Sequence, residues 1–200
     1  MATVTVQPAS NQSPDPGQGG LAVTGAANTG HAQTHCGVTE PTGGVLLQKK
    51  TCIWTAFGAV TGPIRAIHLK ADWSIPAQAV SASSTVVGDS ALAFSQFLLE
   101  YSVNGGSSWT TATDQQRTVT ASDGSSSSDN SLTGASGSID ISIPATTPIA
   151  SIRLRDSLNT EADNIEDVGG DSFASAGIDA VVSNIRLEVT TQDLQPIVLW

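Results

Sequence analysis

Phe97-Leu98-Leu99-Glu100-Tyr101-Ser102-Val103-Asn104-Gly105-Gly106-Ser107-Ser108-Trp109 is the stretch that decides the architecture. Phe97, Leu99, Tyr101 and Val103 alternate with Leu98, Glu100 and Ser102, the period of two of a strand with one face toward a core. Asn104-Gly105-Gly106 then tolerates the positive φ that a tight turn requires. The chain is therefore expected to return through Trp109 to Ala112 as a hairpin.

The same period recurs on both sides of the hairpin. Upstream, Val45 to Phe57 is a mixed run with Cys52, Trp54 and Ala56 on one face. After Pro63, Arg65, Ile67, Leu69, Ala71 and Trp73 share one face and Ala66, His68, Lys70 and Asp72 the other, with Pro76 as the expected stop. Downstream, Ile139, Ile141 and Ile143 oppose Asp140 and Ser142. Ile152 and Leu154 oppose Arg153 and Arg155, and Ile185, Leu187 and Val189 oppose Arg186, Glu188 and Thr190. Several strands with one apolar face each, joined by polar loops, predict an all-β chain, a β-sandwich of jelly-roll type. No period of 20–50 residues is visible, which disfavours a propeller or solenoid.

Between these strands the composition changes. Residues 1–44 are rich in Pro, Gly, Ala, Asn and Thr, too poor in apolar surface to fold alone, and are expected as an extended or flexible arm ahead of a domain spanning 45–200. Such an arm can order against a neighbouring subunit, with Thr3 to Val6 or Leu21 to Thr24 adding an edge strand. Val4 and Val6 at this end, and Ile197, Leu199 and Trp200 at the other, are the expected assembly contacts. Ser122 to Ser138 has almost nothing to bury and is expected to be a mobile loop.

Charge excludes several functions. Eight basic residues against eighteen acidic give a formal charge of −10, which leaves no basic face for nucleic acid. Met1 is followed by neither a basic nor an apolar leader, and no apolar run approaches the ~20 residues of a membrane span. A soluble product made in the host cytoplasm and released in a virion is the expectation, with no membrane partner.

Candidate sites are few. Asp156, Glu161, Asp163, Glu166, Asp167 and Asp171 form an acidic stretch read as a loop, solvated or holding Ca²⁺, a hard cation that takes six to eight oxygens. Cys36 and Cys52 are the only cysteines; a disulfide between them would close a loop of about 16 residues and stabilise by about 3 kcal/mol. His31, His35 and Cys36 carry zinc-ligand chemistry, but only a helix would bring the two imidazoles together. Glu100 and Asp140 are the one carboxylate pair a glycosidase would need, and nothing in their spacing juxtaposes them. No nucleophile elbow, phosphate loop or dinucleotide fingerprint is present, so the chain is expected not to be an enzyme. Trp54, Trp73, Trp109 and Trp200 are either core packing or platforms for sugar stacking.

Ser102, Asn104, Gly106, Ser108 and Trp109 resemble the Asp-box hairpin, with Asn104 where Asp is usual. Sialidases carry that box once per blade, away from the catalytic groups; here it occurs once. More broadly, the order of arm, strand ending Lys70-Ala71-Asp72-Trp73-Ser74, hairpin, and closing Val182-Ser183-Asn184-Ile185-Arg186-Leu187-Glu188-Val189-Thr190 resembles small β-sandwich structural proteins of tailed bacteriophages. That resemblance implies a non-enzymatic capsid decoration, tail or adhesion component, associating with copies of itself and other virion proteins. Carbohydrate-binding jelly rolls have a similar final strand, which keeps a glycan-binding module at a tail tip or cell surface as the alternative.

Overall fold

The computed structural model describes residues 1–12, 30–40, 44–166 and 172–192, and these form two antiparallel sheets laid face to face. In chain order the strands are β1 (Ala2–Val6), β2 (Pro8–Gln12), β3 (Gly30–Glu40), β4 (Gly44–Phe57), β5 (Ile64–Ser83), β6 (Ser90–Ser102), β7 (Thr110–Ser122), β8 (Ser126–Asp129), β9 (Ala135–Ile143), β10 (Arg153–Glu166) and β11 (Ser172–Thr191). One 3-10 turn, Ile149–Ser151, precedes β10. The six-stranded sheet runs β1-β11-β5-β8, with β3 also on β11 and β9 also on β5; the five-stranded sheet runs β2-β4-β10-β6-β7. The chain is thus an all-β, jelly-roll-like sandwich.

β5 and β11, each 20 residues long, are the spine of the larger sheet, and each changes partner along its length. Residues Ile67 to Ile75 of β5 pair with β9, and Val80 to Ser83 with β8. Pro76 therefore does not end the strand. It has no N–H to donate, and it sits at the change of partner, where the ladder lacks a bond anyway. On β11, the shift between Ser183 and Arg186 is made by Asn184 at φ 53. Asn accepts that left-handed conformation, and the bulge swaps parity so that Val182 and Ile185 both reach the core.

The core is uneven. Trp54, Phe97, Ile67, Leu69, Leu99, Ile152, Leu154, Leu158, Ile185 and Leu187 fill one end, while the other is closed by Ala82, Ala91, Ala93, Ala121, Ala162, Ala174 and Ala176 with Val80, Val119 and Cys36.

Three further expectations change here. The segment expected as an arm supplies three strands to this chain's own sheets: β1 pairs with β11 (Val4 opposite Val189), β2 with β4, and β3 with β11. Its pairing partner is intramolecular because β11 and β4 offer free edges there; Leu21 to Thr24 lies outside the described residues. Ser122 to Ser138 contains β8 and the start of β9, and Leu132 is buried in the core. The serines that bury nothing there still complete a ladder, with Ser83 Oγ and Ser126 Oγ 2.9 Å apart. As far as Glu166 the acidic stretch is not a loop but β10, the middle strand of the smaller sheet; Asp167 and Asp171 lie outside the described residues. Its apolar parity, Leu154, Leu158 and Ala162, is masked in the sequence by Asp156, Thr160 and Asn164, which are also buried.

Candidate functional site

The outer face of the five-stranded sheet is built by register. On β10, Arg155, Ser157, Asn159, Glu161 and Asp163 point away from the core, opposite Leu154, Leu158 and Ala162. Opposite them on β6 lie Glu100, Leu98, Gln96, Phe94 and Leu92, and on β4 Ile53, Thr51, Lys49, Leu47 and Val45. A polar strand thus runs between two partly apolar ones.

At its middle lies a groove of about 320 Å³ lined by Leu47, Lys49, Phe94, Asn159 and Glu161. Beside it, Asn159 Nδ2 donates to Gln96 Oε1 at 2.8 Å, and Gln96 Nε2 donates to Asp114 Oδ1 at 2.9 Å. This chain of bonds crosses β10, β6 and β7 and fixes the amide planes before any ligand arrives. Among the described residues, Asn159 Oδ1 and Asp114 Oδ2 remain as open acceptors. Leu47 is 66 % exposed, an apolar surface that folding does not cover.

The hairpin caps one end of this face. Ser102 Oγ accepts from Gly106 N at 2.9 Å, and Asn104 Oδ1 accepts from Ser108 N at 3.0 Å. Asn104 Nδ2 donates to Ser108 Oγ at 2.8 Å, so four of the five box-like residues act together on the turn. Gly105 and Gly106 take φ 74 and 92. Trp109 lies over Arg155, whose Cζ is 4.1 Å from the ring centroid. Arg155 in turn donates to Glu100 Oε2 from Nε at 2.9 Å and from Nη2 at 2.6 Å. Trp109 therefore covers an ion pair rather than offering a free platform. Trp54 is fully buried, and Trp73 packs on Phe97 with centroids 5.6 Å apart. Trp200 lies outside the described residues.

Other expected residues are dispersed. Asp156 is 1 % exposed and faces the core, while Glu161 and Asp163 face outward, because alternation along a strand sends even and odd positions to opposite sides. A calcium loop built on these three is not formed; Asp167, Asp171 and the side chain of Glu166 lie outside the described residues. Burial pushes the Asp156 carboxyl up to about 7, against its bond from Cys52 N at 3.1 Å. Cys36 and Cys52 are free and buried, on opposite sheets and in different core clusters, so the disulfide is corrected to two thiols. Burial raises both, Cys52 to about 12, with the charge of Asp156 adding to it. On β3, His35 points out and Cys36 in, which breaks the zinc set; the His31 side chain is outside the described residues.

Glu100 and Asp140 sit on the outer faces of different sheets, with the sandwich between them. Asp140 belongs to a ladder over β9, β5 and β11: His68 Nδ1 at 2.7 Å, Lys70 Nζ at 3.2 Å, then Lys70 to Glu188 at 2.9 Å. The hydrogen bond from His68 holds Asp140 below the usual carboxylate range. Of the expected assembly contacts, Val4 is exposed on the β1 edge, Val6 packs near Gly58, and Ile197, Leu199 and Trp200 lie outside the described residues. Phe94, Gln96, Asn159 and Asp114 were not singled out by sequence. The signal was the alternation Leu158-Asn159-Thr160-Glu161-Ala162-Asp163, read as loop because it is acidic.

No known protein family matches the chain, and no curated protein does. Among solved structures it is similar to CBM28, a carbohydrate-binding module specific for non-crystalline cellulose, at 12% identity over 84% of this chain and 78% of that one, TM-score 0.28. A family 11 carbohydrate-binding module from Clostridium thermocellum, in complex with a mixed-linked tetrasaccharide, is 9% identical over 87% and 97%, TM-score 0.21. The family 11 module of a cellulosomal cellulase from the same organism is 10% identical over 88% and 98%, TM-score 0.19. None of the three is described as part of a virion. At these values no residue of theirs is carried onto this chain.

Proposed function

We propose that this chain is a non-catalytic glycan-binding module whose ligand lies on the outer face of the five-stranded sheet. One observation carries it: the bonded row Asp114–Gln96–Asn159 beside the Phe94 groove. A sugar ring has an apolar C–H face and a rim of hydroxyls that each donate and accept. Phe94 and Leu47 suit the first, and amides and carboxylates locked in advance suit the second, since their ordering cost is met on folding. In place of a tryptophan platform, Phe94 and Leu47 supply the apolar contact.

The test is calorimetric titration with neutral and acidic polysaccharides. Phe94→Ala and Gln96→Ala are each expected to weaken binding by about tenfold, the loss of roughly 1.4 kcal/mol of contact, with the melting temperature held. Absence of binding to every polysaccharide at millimolar sugar, or binding indifferent to both substitutions, overturns the proposal.

Assembly into a phage particle is the second proposal, favoured by the β1 edge, which among the described residues pairs on one side only. Val4 is exposed there, and such an edge strand can add a strand from a neighbour. Monomeric behaviour in light scattering at high concentration, unchanged on removing residues 1–6, speaks against it.

A further inference from the structure

We infer that the opposite face of the sandwich holds a second sugar-binding trough, which would make the module bivalent. The choice of sugar as ligand rests on the function proposed above; the existence of a second site does not.

On β11, Phe173 points outward and is 37 % exposed. It stands opposite Ser83 of β5, and the groove beside it, about 230 Å³, is lined by Ser81, Ser83, Ser126, Ser128 and Phe173. Ser81 pairs with Ser128 and Ser83 with Ser126, so four hydroxyls stand in two cross-strand rows. Rows lie two residues apart, about 7 Å, with partners about 5 Å apart across the strands. At the next outward positions the face continues into a second hollow of about 260 Å³, lined by Ala77, Ala79, Gly177, Thr133 and His35. From Phe173 to Asp179 the two together extend six residues, about 20 Å along the strands.

Gly177 keeps the floor low: a Cβ there would meet His35 Nδ1 at 2.9 Å. Among the described residues, formal charge on this half of the face is confined to Asp179 and a histidine at one end, on a chain carrying −10 overall. The trough thus offers hydroxyls, one aromatic ring and little charge. An anion or a cation finds no counter-charge over the serine rows. A neutral, hydroxyl-rich chain finds both partners it needs: the ring for its C–H face and the serines for its rim. Because the two troughs lie on opposite outer faces, one molecule can hold two chains at once and gains by effective concentration on a polymer network.

The experiment is titration calorimetry of the full chain with neutral tetrasaccharides of β-linked glucose, mannose and xylose, counting sites per chain. Wild type is expected to bind two; Phe94→Ala and Phe173→Ala each weaken one site about tenfold, so that at a sugar concentration filling only the unweakened site each single variant counts one and the double variant none. Melting temperature checks folding, and Phe173 is exposed enough for its truncation to leave the fold intact. As a second readout, the wild type should raise the viscosity of a soluble polymer of the bound sugar, and neither single variant should. One site, lost in Phe94→Ala and untouched in Phe173→Ala, overturns the second trough and leaves the proposed function standing. One site, lost only in Phe173→Ala, does the reverse. No binding by wild type overturns both.

Discussion

Asp156→Asn is the substitution with the largest calculable effect on stability. Asp156 is 1 % exposed, and its Oδ1 accepts from Cys52 N at 3.1 Å. The neighbouring Arg155 faces the other way, engaged by Glu100, and so cannot neutralise it. Burial raises the carboxyl from 3.8 to about 7. The folded chain therefore keeps a proton that the unfolded chain releases above its ordinary value. With the folded group raised, its contribution is complete below pH 3.8 and is lost as pH climbs to 7. A difference of 3.2 pH units (7 − 3.8) at 1.36 kcal/mol each is about 4 kcal/mol. For a chain of this size that is roughly 8–16 °C in melting temperature. Asp129, Asp140 and Glu188, held low by Ser131, His68 and Lys70, act with the opposite sign, losing stability only as pH falls below the carboxylate range. Among the described carboxylates with a shifted value, the window from about pH 5 to 7 is left to Asp156. Urea unfolding at half-unit steps should show wild-type stability declining by about 1.4 kcal/mol per unit. Asp156→Asn, which keeps an acceptor for Cys52 N–H, should be flat there and more stable at pH 8. A flat wild type, or a variant that retains the slope, refutes the assignment of the buried charge.

The remaining expectations concern packing and thiols. Gly137→Ala places a methyl 2.8 Å from the Trp73 ring, which is already wedged on Phe97, and should cost about 1–3 kcal/mol in urea unfolding. Trp109→Ala uncovers the Arg155–Glu100 pair and should cost about 1–2 kcal/mol, with Trp109→Phe recovering part of it. In native protein neither Cys36 nor Cys52 should react with a thiol reagent at pH 8, and reductant should not move the melting temperature; both should react in denaturant. Amide exchange should be faster on strands over the alanine-filled end than over the Trp54 end, as protection follows local burial.

How much of this was readable in the sequence follows from where alternation is clean. Phe97 to Ser102, Ile139 to Ile143 and Ile185 to Val189 carry large apolar residues at every second place, and all three are strands with those residues inward or partly so. Alternation fails as a signal where the inward residues are small or polar. β10 begins with the legible Leu154, but beyond it buries Asp156, Thr160, Ala162 and Asn164 beside a lone Leu158, and its outer side is Asn159, Glu161 and Asp163, so the composition after Arg155 does not announce a central strand. β11 hides its first half in much the same way, with Ala174, Ala176 and Ala180 around a single Ile178 as the inner set, and Asn184 then inverts the parity. The groove on the smaller sheet was missed for the same reason: it is made of β10's outer residues and of Phe94, whose partners are set by register that no single segment contains.

Both candidate troughs reach over the alanine-rich end, and that overlap has a physical basis. Outward residues have inward neighbours one place along: Glu161 adjoins Ala162, Phe94 adjoins Ala93, Phe173 adjoins Ala174, and Ser81 adjoins Val80 and Ala82, while Asn159 and Gln96 stand beside Leu158 and Phe97 where the larger cluster begins. A leucine in place of each alanine would add about 2.4 kcal/mol of burial at 0.8 kcal/mol per methylene, so this end forgoes stabilisation that the Trp54 end takes. What it keeps is unbroken pairing: β10 runs in register with β4 from Leu154 to Asn164, and β11 with β3 from Ser172 to Val182. Outward side chains on a regular ladder repeat at fixed spacing, about 7 Å along and 4.8 Å across, as a repeating polymer ligand does. A bulky core with bulges, such as the one below Asn184, would disturb that spacing. Small inner residues and straight pairing are the combination under which a sheet face can serve as a ruler for a chain of like units.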